Sequence, residues 1–239
     1  MAELCNEYSI DQYDLTGIIA LALEWYQRGL ITKEDTDGIE LEWGNWQAMI
    51  DMFHQIAERK GFGNVLAEGS LRAAEMVGSG AMECLSHSKG ELFTADETGR
   101  CNMGFKLGIA TSTRGADHLS GSTFYRPGLI LQDASMWKGP KINPAFDSYE
   151  DQAAGVYFVQ TMCTLADSLP ACKFLTQRVG EVEGLEEMAE LFSAATGVEA
   201  DRESMTEIAD RIWTVERAFL VREGITRKDD NVYGRALDE

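Results

Sequence analysis

The stretch Thr111–Thr123, "TSTRGADHLSGST", sets His118 behind Arg114, Gly115 and Asp117 in a run too small, too hydroxylated and too glycine-punctuated for an ordinary core helix. An imidazole in such a loop can donate or accept a proton near neutral pH. The same residue also serves as a hydrogen-bonded structural group, and the loop's composition alone does not separate the two uses. Cys172, in "DSLPACKFL", poses a parallel choice between a functional thiol and a small buried hydrophobe. The five cysteines, at 5, 84, 101, 163 and 172, are odd in number and contain no CxxC pair. In a chain too large for a disulfide scaffold they read as reduced thiols, and they form no complete metal-binding cluster by themselves.

These groups need elements to hold them, and the periodic segments are nearly all helical. "DLTGIIALALEWYQRGL" (14–30) repeats apolar residues at helical spacing and stops at a glycine. A helix is expected over 45–63 with Asn45 as its cap, and another over 64–80 follows at once to make a hairpin. Helices resume over 149–166, 183–196 and 203–222. Between about 90 and 145 the texture changes, with many glycines and three of the four prolines. Phe105, Phe124 and Tyr125, with Ile109 and Leu119, argue against disorder there, so 100–125 is expected to be a buried irregular loop system. His54, flanked by Met52 and Phe53, reads as a partly buried, hydrogen-bonded histidine, and His87, in "LSHSKGE", as a surface residue. The fold class is mainly α, with irregular loops carrying the chemistry.

Composition bounds the function. With 239 residues and 44% hydrophobic content the chain can bury a sizeable core. Forty acidic against 21 basic side chains leave a formal charge of -19, which opposes a polyanion and sets nucleic acid aside. The best apolar run, "LTGIIALALEW", falls short of the roughly 18 residues a membrane span needs and contains Glu24. The acidic start, "MAELCNEYSIDQYD", is unlike a signal peptide, so a cytoplasmic protein without a membrane partner is expected.

The order of segments resembles the C-terminal part, domains 2 and 3, of the tungsten-containing aldehyde:ferredoxin oxidoreductase family. "LCNEYSIDQYD", "DGIELEWGNWQAMIDMFHQIAERKGFGNVLAEGSLRAAE", "GIATSTRGADHL", "DSLPACKF" and "RIWTVERAFLVREGITRKDD" carry the likeness, in the family's order and through nearly the whole chain. The resemblance implies two helical domains, 1–100 and 101–239, with cofactor-facing loops. It also implies a β-rich amino-terminal cofactor domain that these residues do not include.

The resemblance also assigns roles. The family's pterin-contacting pattern, Asp-x-x-Gly-Leu followed by Asp or Cys, falls on Asn6–Asp11 ("NEYSID") and again on Asp167–Cys172 ("DSLPAC"). Asn6, Asp11, Asp167 and Ala171 would then contact a tungsten bis-pterin cofactor, and Cys172 would be the fourth ligand of a [4Fe-4S] cluster. The other three ligands belong to a CxxCxxxC run absent from these 239 residues. His118 corresponds to the family's histidine near tungsten and would hydrogen-bond the substrate carbonyl. The implied reaction oxidises a small aldehyde to a carboxylic acid, with electrons leaving through the cluster to ferredoxin. The implied partners are the amino-terminal half of the enzyme or a partner subunit supplying it; a homodimer is compatible. Read this way the chain is a fragment, inactive when isolated. The competing reading is a non-catalytic helical assembly module that keeps the family's shell.

Overall fold

The computed structural model describes residues 1–78, 80–93, 102–120, 139–173 and 184–234. Cys101, Phe124, Tyr125, Trp137 and the 121–125 end of the expected loop system lie outside them. The described residues are mainly α-helical, with one two-stranded hairpin. Two compact units emerge: Met1–Thr94 with Val232–Glu239, and Ala95–Asn231. No helix among the described residues is long and apolar enough to cross a membrane.

In the first unit, α1 (Ala2–Tyr8) leads through a tight turn into α2 (Gln12–Gln27). The apolar spacing of α2 buries Leu15, Ile19, Leu23 and Trp25, whose indole N–H donates to the Ala81 carbonyl at 3.1 Å. Asn45 caps α3 (Trp46–Ala57), its Oδ1 accepting from the Ala48 N–H at 3.2 Å. The expected single helix over 45–63 stops earlier than its periodicity suggests. Arg59 adopts φ 52, and α4 (Gly61–Leu66) turns back so closely on α3 that a Cβ on Gly63 would run into the Gln55 backbone. Gly69, at φ 91, then separates α4 from α5 (Ser70–Val77), so the 64–80 segment is likewise two pieces.

The hairpin β1 (His87–Ser88) and β2 (Glu91–Leu92) turns through Lys89 and Gly90, both at positive φ. His87 is half-buried and not a surface residue. Its ring stacks on Tyr233 at 4.9 Å, and its Nδ1 accepts from the Gly90 N–H at 3.3 Å. Burial pushes its pKa below the ordinary histidine value. The stacking partner lies 146 positions along the chain, beyond any local reading.

In the second unit, α6 (Met103–Thr111) occupies part of the stretch expected to be irregular. Asn102 caps it, and its buried face includes Gly104, Phe105, Gly108 and Ile109. It packs on α7 (Ala153–Ser168), a helix buried on nearly every side, as its almost continuous apolar content requires. The amphipathic helices α8 (Leu185–Thr196) and α9 (Arg202–Arg222) close this core through Leu185, Met188, Met205 and Ala209. Arg217 clasps Asp230 with two 2.7 Å bonds, fixing the turn after α9.

Candidate functional site

The two motif copies fold into the same kind of turn, one in each unit. In the first, α1 ends beyond Asn6, and the Ile10 N–H returns to the Cys5 carbonyl at 2.9 Å. In the second, α7 ends beyond Asp167, and the Ala171 N–H returns to the Ala166 carbonyl at 2.8 Å. These are equivalent positions, and each bond closes a helix end five residues back. Ser9 holds the family's glycine position in the left-handed conformation, φ 56 and ψ 42. A Cβ is disfavoured there, so Ser9→Gly should stabilise the first unit by about 1 kcal/mol. Thermal unfolding should register this as a midpoint about 2–4 °C higher; an unchanged or lower midpoint would contradict the turn geometry.

Each turn presents an exposed carboxylate with one oxygen engaged and one left over. Asp11 caps α2, its Oδ1 accepting from the N–H groups of Tyr13 at 2.8 Å and Asp14 at 3.0 Å, while Oδ2 makes neither bond. Desolvation, followed by the charge of Asp11, holds the Asp14 carboxyl above its ordinary pKa. Asp167 sits in the last turn of α7, where a carboxylate opposes the helix dipole and no basic residue of that turn compensates. Lys173 answers from beyond the turn, 2.8 Å from Asp167 Oδ2. Asn6 is exposed on α1, Ala171 is half-buried, and Cys172 is exposed and outside any disulfide, whereas Cys5, Cys84 and Cys163 are buried.

His118 opens a 3-10 turn, His118–Ser120, after α6. Asp117 builds this turn: its Oδ1 accepts from the Leu119 N–H at 2.8 Å and its Oδ2 from the Ser120 hydroxyl at 2.6 Å. Arg114 also pairs with Asp117 at 3.2 Å. Gly115, at φ 87, makes the bend, Ala116 is buried, and the buried Ser112 hydroxyl accepts from the Arg114 N–H at 3.1 Å. The imidazole is half-buried at the rim of this loop.

Within the second unit the loop and the end of α7 share a polar cleft of about 170 Å³. Arg114 and Ser120 line it on one side, Asp167 and Ser168 on another, and Trp213 and Glu216 of α9 on a third. The elements flanking His118 therefore meet Asp167 across one small cavity, while Asn6 and Asp11 belong to the first unit. Lys173, Gln160 and Glu216 emerge only in three dimensions. His54 is half-buried and packs edge-on against Tyr8 and Phe53. Among the described residues no group of three or more His, Cys, Asp or Glu side chains stands together as a metal-ion site.

Within each unit the exposed oxygens are hydrogen-bond acceptors, which a pterin edge can satisfy as donor. Spare carboxylate oxygens and an amide oxygen accept hydrogen bonds, a pterin edge offers ring and amino N–H donors, and burying such donors unpaired costs on the order of 1–3 kcal/mol each.

The family model for aldehyde ferredoxin oxidoreductase, domains 2 and 3, matches residues 1–239. Tungsten-containing aldehyde ferredoxin oxidoreductases of Pyrococcus abyssi and Pyrococcus furiosus are each 31% identical over 238 residues, spanning 98% and 99% of this chain. An aliphatic sulfonate oxidoreductase, WOR-like subunit, of Pyrococcus furiosus is 29% identical over 243 residues, covering 97% of this chain and 33% of that protein. The chain spans 37% of the length of the two aldehyde oxidoreductases. The fold is also similar to the active-site complex BamBC of benzoyl coenzyme A reductase in complex with 1,5-dienoyl-CoA. There the TM-score is 0.81 at 19% identity, covering all of this chain and 40% of that one.

Proposed function

Since this chain belongs to the aldehyde ferredoxin oxidoreductase family, we propose that it is the helical part of a tungsten-pterin enzyme that oxidises aldehydes to carboxylic acids and passes electrons to ferredoxin. The observation that carries this reading is the paired turn. Two helix ends are closed by the same backbone bond, and each turn carries a carboxylate: Asp11 after the first, where it caps the next helix, and Asp167 before the second, each with one oxygen engaged.

Asn6, Asp11 and Asp167 would accept hydrogen bonds from the pterin edges, with Ala171 contributing contact at the second turn. Cys172, exposed at the end of that motif, would offer its thiolate to iron of a [4Fe-4S] cluster. When bound, tungsten pterin and cluster supply the two-electron oxidation and its single-electron exit. The chain's own work is positioning. His118, held by the turn that Asp117 builds, donates a hydrogen bond to the carbonyl oxygen of the aldehyde and so orients and polarises it.

The test is metal loading. Produced alone, the 239-residue chain should hold neither tungsten nor iron, because Cys172 is the one proposed cluster ligand it contains. Produced together with a polypeptide supplying the family's CxxCxxxC run and β-rich domain, it should acquire both metals and dye-linked aldehyde oxidation. Failure to load in a complex that does assemble would favour the non-catalytic module. Metal analysis of the purified species decides between them.

A further inference from the structure

Several of the bonds that shape the histidine loop are local. Asp117 reaches Leu119, Ser120 and Arg114, and Ser112 reaches Arg114. Bonds of such short span fix the loop's form but not its direction relative to the body of the unit. Direction comes from ties to other elements: the 3-10 turn packs on α6 and α7, and two side-chain bonds stand where the chain leaves α6. The buried Gln160 of α7 donates its Nε2 to the Thr111 hydroxyl at 2.9 Å. Two residues on, the Thr113 hydroxyl donates to Glu216 Oε2 of α9 at 2.7 Å, across 103 positions of sequence. Glu216 also lines the cleft with Arg114, Ser120 and Asp167, so this tie lies on the side where the loop faces the second motif. The neighbouring Arg217 is committed to Asp230, which anchors this stretch of α9.

We propose that Glu216 is a positioning residue for His118: through Thr113 it sets the direction in which the histidine loop presents its imidazole. Glu216 has no contact with a reacting atom in this role. The inference rests on the reading of His118 as the substrate-facing group, and it can fail separately from that reading.

The experiment uses the 239-residue chain labelled at histidine, with the three imidazole Cε1–H signals assigned by His54→Gln, His87→Gln and His118→Gln. Glu216→Ala and Thr113→Val should each move the His118 signal by more than its linewidth and leave those of His54 and His87 in place. Glu216→Gln, which keeps an oxygen acceptor for the threonine hydroxyl, should return the signal to its wild-type position, as should Thr113→Ser. Tryptic cleavage after the exposed Arg114 should rise severalfold in the two disruptive variants and stay at the wild-type rate in the two conservative ones. Circular dichroism identifies any variant that does not fold, and the Thr113 pair then replaces the Glu216 pair. An unmoved His118 signal in folded Glu216→Ala and Thr113→Val would overturn the proposal. So would equal displacement by Glu216→Gln and Glu216→Ala, which would assign the effect to charge rather than to the hydrogen bond. A displaced signal combined with full activity of His118→Ala in the assembled enzyme would leave the positioning role standing and remove the catalytic one.

Discussion

His118→Ala, in the proposed complex of this chain with a polypeptide supplying the CxxCxxxC run and β-rich domain, is expected to lower kcat for aldehyde oxidation by about 10²–10⁴-fold while tungsten stays bound. The magnitude is that of a positioned hydrogen-bond or proton partner removed from a reacting oxygen. Metal retention follows from the geometry: the imidazole belongs to the 3-10 turn at 118–120, whereas the carboxylates proposed to hold the pterin belong to the turns after α1 and α7. Loss of tungsten with loss of activity would recast His118 as a structural residue. Full activity would remove it from the mechanism. Asp117→Asn makes a useful companion, since the amide keeps one oxygen acceptor for the turn but gives up the charge that pairs with Arg114.

Cys172→Ser should abolish the iron–sulfur signal in electron paramagnetic resonance and cut cluster iron from about four atoms per chain to near zero, with tungsten content preserved. A serine hydroxyl at this position is a poor replacement for a thiolate ligand to iron. Cys163→Ser is the contrast. That thiol is buried in α7 against the core of the second unit, so its replacement should lower the unfolding midpoint and leave the cluster spectrum unchanged. The reverse pattern, a silent Cys172→Ser and a cluster lost in Cys163→Ser, would move the metal assignment from the exposed turn to the core.

The sequence by itself determined whatever is decided within a few turns of chain. Apolar residues at helical spacing mark α2, α7 and α9, and Asn45 announces the start of α3 because its side chain satisfies an N–H only three residues away. The Arg114–Asp117 pair is legible for the same reason, both partners lying in one bend. Asn6, Asp11, Asp167, Ala171 and Cys172, by contrast, are candidates only through the family resemblance, since NEYSID and DSLPAC share no residue at any position. Tertiary structure decided the rest. Gly104 and Gly108 speak against a helix by propensity, yet α6 forms because an Asn102 cap and packing on α7 outweigh that local cost. The segment over 45–80 divides into three helices because α4 must fold back on α3, a demand its periodicity does not record. His87 is half-buried because Tyr233 covers it, and the histidine loop is tied to Glu216 from 103 positions away. In each case the deciding term is desolvation or a hydrogen bond between distant residues, and its value is set only when the chain brings them together.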